Sequence, residues 1–222
     1  MSRTSRIEEE RQAARRRILV IGAVVAVVVV AAVVAVLATS GGGGGGGAGT
    51  KVATGTQARP VSVSGPNLPK FEAEGNDPAV GMTIPTITGQ SFTGDPAVIK
   101  PDGHPQVLLF VAHWCPHCQR EVPLLSANLR ANPLPAPVEM TTVSTSVTPS
   151  APNYPPQAWL SREHWPTPVL ADDAKQTAAT SMGLTSFPYF VFVDAQGKVA
   201  ARTSGEIPVA QFRAMVDRIA KT

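Results

Sequence analysis

Residues 18–38, ILVIGAVVAVVVVAAVVAVLA, are 21 consecutive apolar residues without a charge, and no other feature limits what this 222-residue chain can fold into so strongly. A bilayer hydrocarbon core of about 30 Å takes roughly 20 helical residues, so the segment is long enough to span one. In hydrocarbon the backbone must satisfy its own hydrogen bonds, which makes helix the outcome even for a valine-rich run. A buried core helix fits poorly, because the segment has no polar face and leads into Gly41–Gly47. Val36-Leu37-Ala38 would serve as a signal-peptide cleavage site, yet the apolar run exceeds the roughly 7–15 residues usual for one. The expectation is an uncleaved signal-anchor, a single transmembrane helix over 18–38.

Charge orients that helix. The net charge of +3 lies entirely in residues 1–17, which hold six arginines and three glutamates; the remainder carries 13 basic and 13 acidic residues. Arg15, Arg16 and Arg17 abut the apolar run, and by the positive-inside rule the 1–17 stub stays in the cytoplasm. Everything after Ala38 is then expected outside it, on a cell membrane. With no basic domain to grip a phosphate backbone, nucleic acid is not expected as a partner.

Residues 39–70, rich in Gly, Ser, Thr and Pro, read as a flexible linker. At about 5–6 Å × √n, some 30 residues reach roughly 30 Å, enough to let a domain meet partners near the membrane. The folded part is expected over 71–222, 152 residues and enough for one core.

Its pattern is α/β. Val107-Leu-Leu-Phe-Val-Ala112 and Tyr189-Phe-Val-Phe-Val193 are continuous apolar runs, which mark strands covered on both faces. Helices are predicted from Pro116 to about Arg130, Pro155 to His164, Asp172 to Met182, where Gly183 stops the chain, and Pro208 to Ala220. The last has Val209, Phe212, Met215, Val216 and Ile219 on one face. Val138 to Val147 alternates like a strand, Lys198 to Thr203 returns as a hairpin partner of Tyr189–Val193, and residues 82–93 suggest a short N-terminal hairpin. Together these predict a central mixed sheet flanked by helices.

The chemistry lies in His113-Trp114-Cys115-Pro116-His117-Cys118, directly after the first buried strand and opening a helix. Two thiols at i and i+3 can close a small disulfide ring. At a helix start, unpaired N–H groups and the positive end of the dipole stabilise a thiolate, and a protonated His117 would add to that. Cys115 is therefore the expected nucleophile and Cys118, one turn deeper, the resolving thiol. A structural disulfide across three residues constrains little chain. Zinc or copper held by Cys115, Cys118 and His113 or His117 is sterically conceivable, but a closed zinc site usually wants two separated ligand pairs, and only these two cysteines exist. No cofactor and no metal is called for.

These residues resemble the thioredoxin superfamily over most of 71–222. Trp114-Cys115-Pro116-His117-Cys118 looks like its WCxxC site with a DsbA-like CPHC centre. Glu121 and Pro123 resemble the Cys-x-x-Glu-x-Pro continuation of membrane-anchored TlpA/ResA-like proteins, and Val80 to Pro85 resembles the start of redoxin domains. Phe187-Pro188 resembles the family's cis-proline before a hydrophobic strand. The resemblance implies a thioredoxin fold and a thiol–disulfide oxidoreductase. In it Trp114, Pro116, His117, Phe187 and Pro188 support the dithiol, Trp114 half exposed and Pro188 beside the disulfide facing substrate peptide. Leu109 stands where thioredoxins often carry a buried carboxylate, so the proton acceptor for Cys118 is missing or comes from elsewhere; Glu121 is expected to be a solvated helix residue rather than that group.

The sequence thus points to a membrane-anchored, extracytoplasmic oxidoreductase that exchanges disulfides with protein thiol and disulfide substrates. Its direction is open. His117 in the dipeptide favours an oxidant, whereas the TlpA-like layout implies a reductant fed by a membrane redox partner; reductant is slightly favoured. The alternatives are a copper-handling module on the same thiols, or a thiol peroxidase, for which Phe110 to Trp114 lack the expected Pro and Thr.

Overall fold

The computed structural model describes residues 57–222 apart from Glu74. The stub 1–17, the expected transmembrane helix 18–38 and the linker up to residue 56 lie outside the described residues. Among the described residues no helix is long and apolar enough to cross a membrane.

In chain order the elements are β1 (Ser62–Ser64), β2 (Thr86–Gln90), β3 (Pro96–Ile99), β4 (Gln106–Val111), α1 (Pro116–Ala131), β5 (Glu139–Ser144), α2 (Pro156–Arg162), β6 (Val169–Ala171), α3 (Thr177–Ser181), β7 (Tyr189–Val193), β8 (Val199–Ser204) and α4 (Val209–Ile219). The sheet runs β1-β2-β6-β5-β4-β7-β8, with β3 paired to β2. β4 lies in its middle, parallel to β5 with Leu109 opposite Thr142, and antiparallel to β7 with Leu109 opposite Phe190. A parallel neighbour needs a crossover, and α1 supplies it between β4 and β5.

A strand's side chains alternate between the two faces of its sheet, and the two apolar runs divide accordingly. Val107, Leu109, Val111, Phe190 and Phe192 pack with Val122, Leu125 and Leu129 of α1 and with Phe212, Val216 and Ile219 of α4. Leu108, Phe110, Tyr189, Val191 and Val193 pack on the other face with Ala178 and Ala179 of α3 and with Leu68, Phe71, Ile84, Ile87 and Ile99. Both runs are continuous because both faces are covered. On α4, Val209 and Met215 are only partly buried at the edge of the predicted apolar face.

Four expectations are corrected. The linker expected up to residue 70 stops short of it, because residues 57–70 belong to the folded unit. β1 pairs with β2, Leu68 is buried, and its N–H donates to the Ser181 carbonyl at 2.9 Å. The hairpin expected over 82–93 forms instead between β2 and β3, with Ile87 opposite Ile99. The strand expected to Val147 ends at Ser144, and the chain then turns with Ser146 at φ 53°. The helix expected from Asp172 shrinks to Thr177–Ser181. Asp172 and Asp173 stand ahead of the helix and take the free backbone donors of its first turn: Asp172 accepts from Ala178 and Ala179 N–H at 2.9 and 3.1 Å, and Asp173 from Thr177 N–H at 2.9 Å, while Gln176 before the helix turns left-handed at φ 58°.

Gly183 ends α3 as expected, at φ +76°, and a Cβ there would collide with the Pro69 carbonyl oxygen and the Arg202 guanidinium. That guanidinium is buried, pairs with Asp77 through Nε at 2.7 Å and through Nη2, and donates from Nη1 to Pro69 O at 2.8 Å. One arginine of β8 thereby ties the N-terminal segment to the sheet.

Candidate active site

The end of β4 and the first turn of α1 bring the predicted dithiol together. Cys115 is the N-cap of α1 at φ −71°, ψ 121°, with Pro116 opening the helix behind it. Proline suits that position because its missing N–H would have no helical partner. The Cys115 thiol is 6% exposed and donates to the Phe187 carbonyl oxygen at 3.9 Å; Cys118 is 0% exposed among the residues of the core. An incoming disulfide therefore meets Cys115 first. Both cysteines are free thiols here. Burial pushes the Cys118 thiol well above its usual range, and the neighbouring Cys115 and Glu121 add to the rise.

Each supporting residue lies around this pair. The Phe187–Pro188 peptide is cis and places the Phe187 carbonyl over Cys115. Trp114, partly buried, meets the Phe187 ring edge-on at 6.0 Å and donates its Nε1–H to Ser146 O at 2.7 Å. Pro116 and His117 are exposed at the helix start.

His113, weighed above as a metal ligand, is 0% exposed and faces the loop after β5. The Thr148 N–H donates to its Nε2 at 3.1 Å, so Nε2 carries the lone pair and Nδ1–H donates to Pro152 O at 2.7 Å. Burial holds this imidazole below its ordinary pKa, against the opposing pull of the Pro152 hydrogen bond. Both ring nitrogens are thereby committed to backbone. Among the described residues no group of three or more His, Cys, Asp or Glu side chains could hold a metal ion. The strapped loop borders a cavity of about 360 Å³, lined in part by Ser146, Thr148, Tyr154 and Gln176.

Glu121 departs from expectation. It is 2% exposed, one turn beyond Cys118 on the inner face of α1, and its Oε2 accepts the Ile207 N–H at 3.2 Å. Burial pushes its carboxyl up to about 7, opposed by the Ile207 hydrogen bond and reinforced by Glu206. The signal was present in the helix period, since 118, 121, 122, 125 and 129 fall on one face. No local signal marked Glu206. From the loop before α4 its Oε1 accepts from His117 Nδ1 at 2.6 Å, and its carboxylate receives Arg120 through Nε at 3.0 and 3.2 Å and Nη2 at 2.5 Å. Arg120 and His117 in turn hold the Glu206 carboxyl below the usual range, Arg120 more strongly.

This arrangement can carry a two-thiol redox cycle: an accessible sulfur at a helix N-terminus, a buried second sulfur, and a titratable carboxyl on the same inner helix face. The thioredoxin-like domain family matches residues 92–220, more than half of the chain. Among solved structures, a DsbF homologue from Corynebacterium diphtheriae aligns at 18% identity and TM-score 0.54, covering 68% of this chain and 99% of that one. A thiol:disulfide interchange protein of the thioredoxin family from Chlorobium tepidum aligns at 20% identity and TM-score 0.52, covering 63% and 97%. The thioredoxin domain of a thiol-disulfide oxidoreductase from Bacteroides vulgatus aligns at 20% identity and TM-score 0.50, covering 64% and 98%. At these identities the three likenesses bear on the fold alone. No curated protein matches the chain in sequence. With its dithiol set at the strand–helix junction, the chain belongs to the thioredoxin-like domain family.

Proposed function

We propose that this protein exchanges disulfides with other proteins outside the cytoplasm, tethered by residues 18–38, and that it acts as a reductant. The observation that carries the reading is the asymmetry of the pair: Cys115 at the N-cap under the Phe187 carbonyl, Cys118 sealed behind it. Cys115 attacks one sulfur of a substrate disulfide as the thiolate, forming a mixed disulfide and releasing the other sulfur as a thiolate that takes up a proton. Cys118 then gives up its proton and attacks Cys115 Sγ. That step closes the Cys115–Cys118 bond and frees the substrate's second thiol, so two electrons have passed to the substrate. A buried thiol held high needs a base, and Glu121, titrating near 7, is the acceptor at hand. A membrane redox partner would return the pair to the dithiol.

Two features support the reading: the apolar run with its arginine flank and the site geometry. Cys118→Ser in the full chain should trap substrates as long-lived mixed disulfides at Cys115; trapping only by Cys115→Ser would reverse the roles. A reduction potential of the detergent-solubilised protein near or below about −250 mV supports a reductant, and one near about −120 mV an oxidant. In intact cells treated with an impermeant reductant, an impermeant maleimide should label Cys115; labelling only after lysis would refute the extracytoplasmic placement.

A further inference from the structure

The loop before α4 touches the site at two levels through consecutive residues. Glu206 binds His117 and Arg120 on the outer face of the first turns of α1, while the N–H of Ile207 binds the buried Glu121 on the inner face. Nothing in the exchange of sulfur atoms requires Glu206. Its partners are His117 and Arg120, 89 and 86 residues away in the chain. Its charge nevertheless sits where the redox poise is sensitive. A cation at the start of α1 stabilises a Cys115 thiolate, and stabilising the reduced form makes a dithiol more oxidising. Arg120 brings a fixed positive charge there and His117 an imidazole that is cationic only when protonated, and both are engaged by the same carboxylate.

We propose that Glu206 sets the redox poise of the Cys115–Cys118 pair by offsetting the positive charge at the first turns of α1, that of Arg120 and of His117 when it is protonated, and so keeps a CPHC centre on the reducing side. This rests on the functional reading above and adds to it the residue that acts through His117 and Arg120. Glu206 therefore acts on Cys115 through its partners on the first turns of α1, not by contact. Arg120 and Cys115 interact electrostatically across the helix turn.

The effect is sized by exposure. Glu206, His117 and Arg120 are all solvent-accessible, and water and salt weaken such charges. Replacing the carboxylate by its amide keeps the shape and removes only the charge. Glu206→Gln should therefore shift the equilibrium with glutathione two- to fivefold toward an oxidant, about 10–20 mV at about 30 mV per decade for two electrons. In that equilibrium the pair forms its disulfide as the glutathione disulfide bond breaks, and two electrons with two protons pass to glutathione disulfide, which leaves as two thiols.

The test equilibrates the full chain in detergent with glutathione redox buffers and reads the dithiol fraction by thiol alkylation. Four proteins are compared: wild type, Glu206→Gln, His117→Ala and the double variant. The expected result is a more oxidising Glu206→Gln, a shift that shrinks at 1 M salt, and a smaller effect of Glu206→Gln when His117 is already alanine. A Glu206→Gln protein with unchanged thermal midpoint and unchanged potential overturns the inference, as does a shift in the reducing direction or one indifferent to salt. A wild-type pair that never equilibrates with glutathione refutes the functional reading itself, which sets the two failures apart.

Discussion

Replacing Glu121 with glutamine should make this protein more stable and less active at the same time. The carboxyl is buried on the inner face of α1, with the Ile207 N–H on its Oε2 at 3.2 Å, and burial moves it from 4.5 to about 7. An unfolded chain releases this proton near 4.5, whereas the folded one holds it to about 7, so between those values the folded state binds more protons. Stability then falls as the pH rises through that window and levels off above it. At about 1.4 kcal/mol per pH unit the loss reaches roughly 3 kcal/mol above pH 7. Glutamine has the same shape, its amide oxygen can accept from Ile207, and it does not ionise. Glu121→Gln should thus match wild type near pH 4 and exceed it by about 3 kcal/mol at pH 8, or roughly 6–12 °C at 2–4 °C per kcal/mol. Urea unfolding from pH 4 to 8, monitored by tryptophan fluorescence, reads this directly. Insulin reduction at pH 7 reads the other half: without a base for the Cys118 proton, turnover should fall by about 10²-fold or more. A variant that is equally or less stable at pH 8, or one that reduces insulin at the wild-type rate, would refute the assignment of Glu121.

Two further outcomes follow from buried polar ties. Asp77→Ala strands the buried Arg202 guanidinium without its counter-charge, which should cost about 3–5 kcal/mol in urea unfolding at pH 7, while Asp77→Asn with its remaining acceptor oxygen should cost less. His113→Gln should lose about 1–3 kcal/mol at pH 8, because one side-chain amide cannot satisfy both the Thr148 N–H and the Pro152 carbonyl. His113 is a base held below its ordinary 6.5, so its folded-state contribution is lost as the pH falls below about 6.5. The gap between wild type and His113→Gln should narrow there, in the direction opposite to the Glu121 window, and a gap independent of pH would contradict a neutral, doubly bonded imidazole.

What was legible in the chain and what was not divide along the reach of the interactions. The apolar runs of β4 and β7 and the one-sided face of α4 announce themselves by period, since burial on two faces or on one is written into neighbouring residues. The dithiol at the strand–helix junction is local as well, because Cys115 at the N-cap and Cys118 behind it are set by position within one helical turn. Glu121 shows the border case: its place on the inner helix face could be counted from Cys118 and Val122, but its burial depends on α4 and on the Ile207 N–H, which no count along α1 reveals.

The sequence by itself determined the strand–dithiol–helix unit and the two core strands, because short-range periodicity and helix-terminus preferences act within a few residues. Only the tertiary structure decided that residues 57–70 join the sheet, that β2 pairs with β3, that His113 is sealed under the 146–153 loop, and that Glu206 faces His117 and Arg120. Each of those depends on a partner brought close by the packed core, and a hydrogen bond or ion pair across as many as 89 residues leaves no pattern at either end.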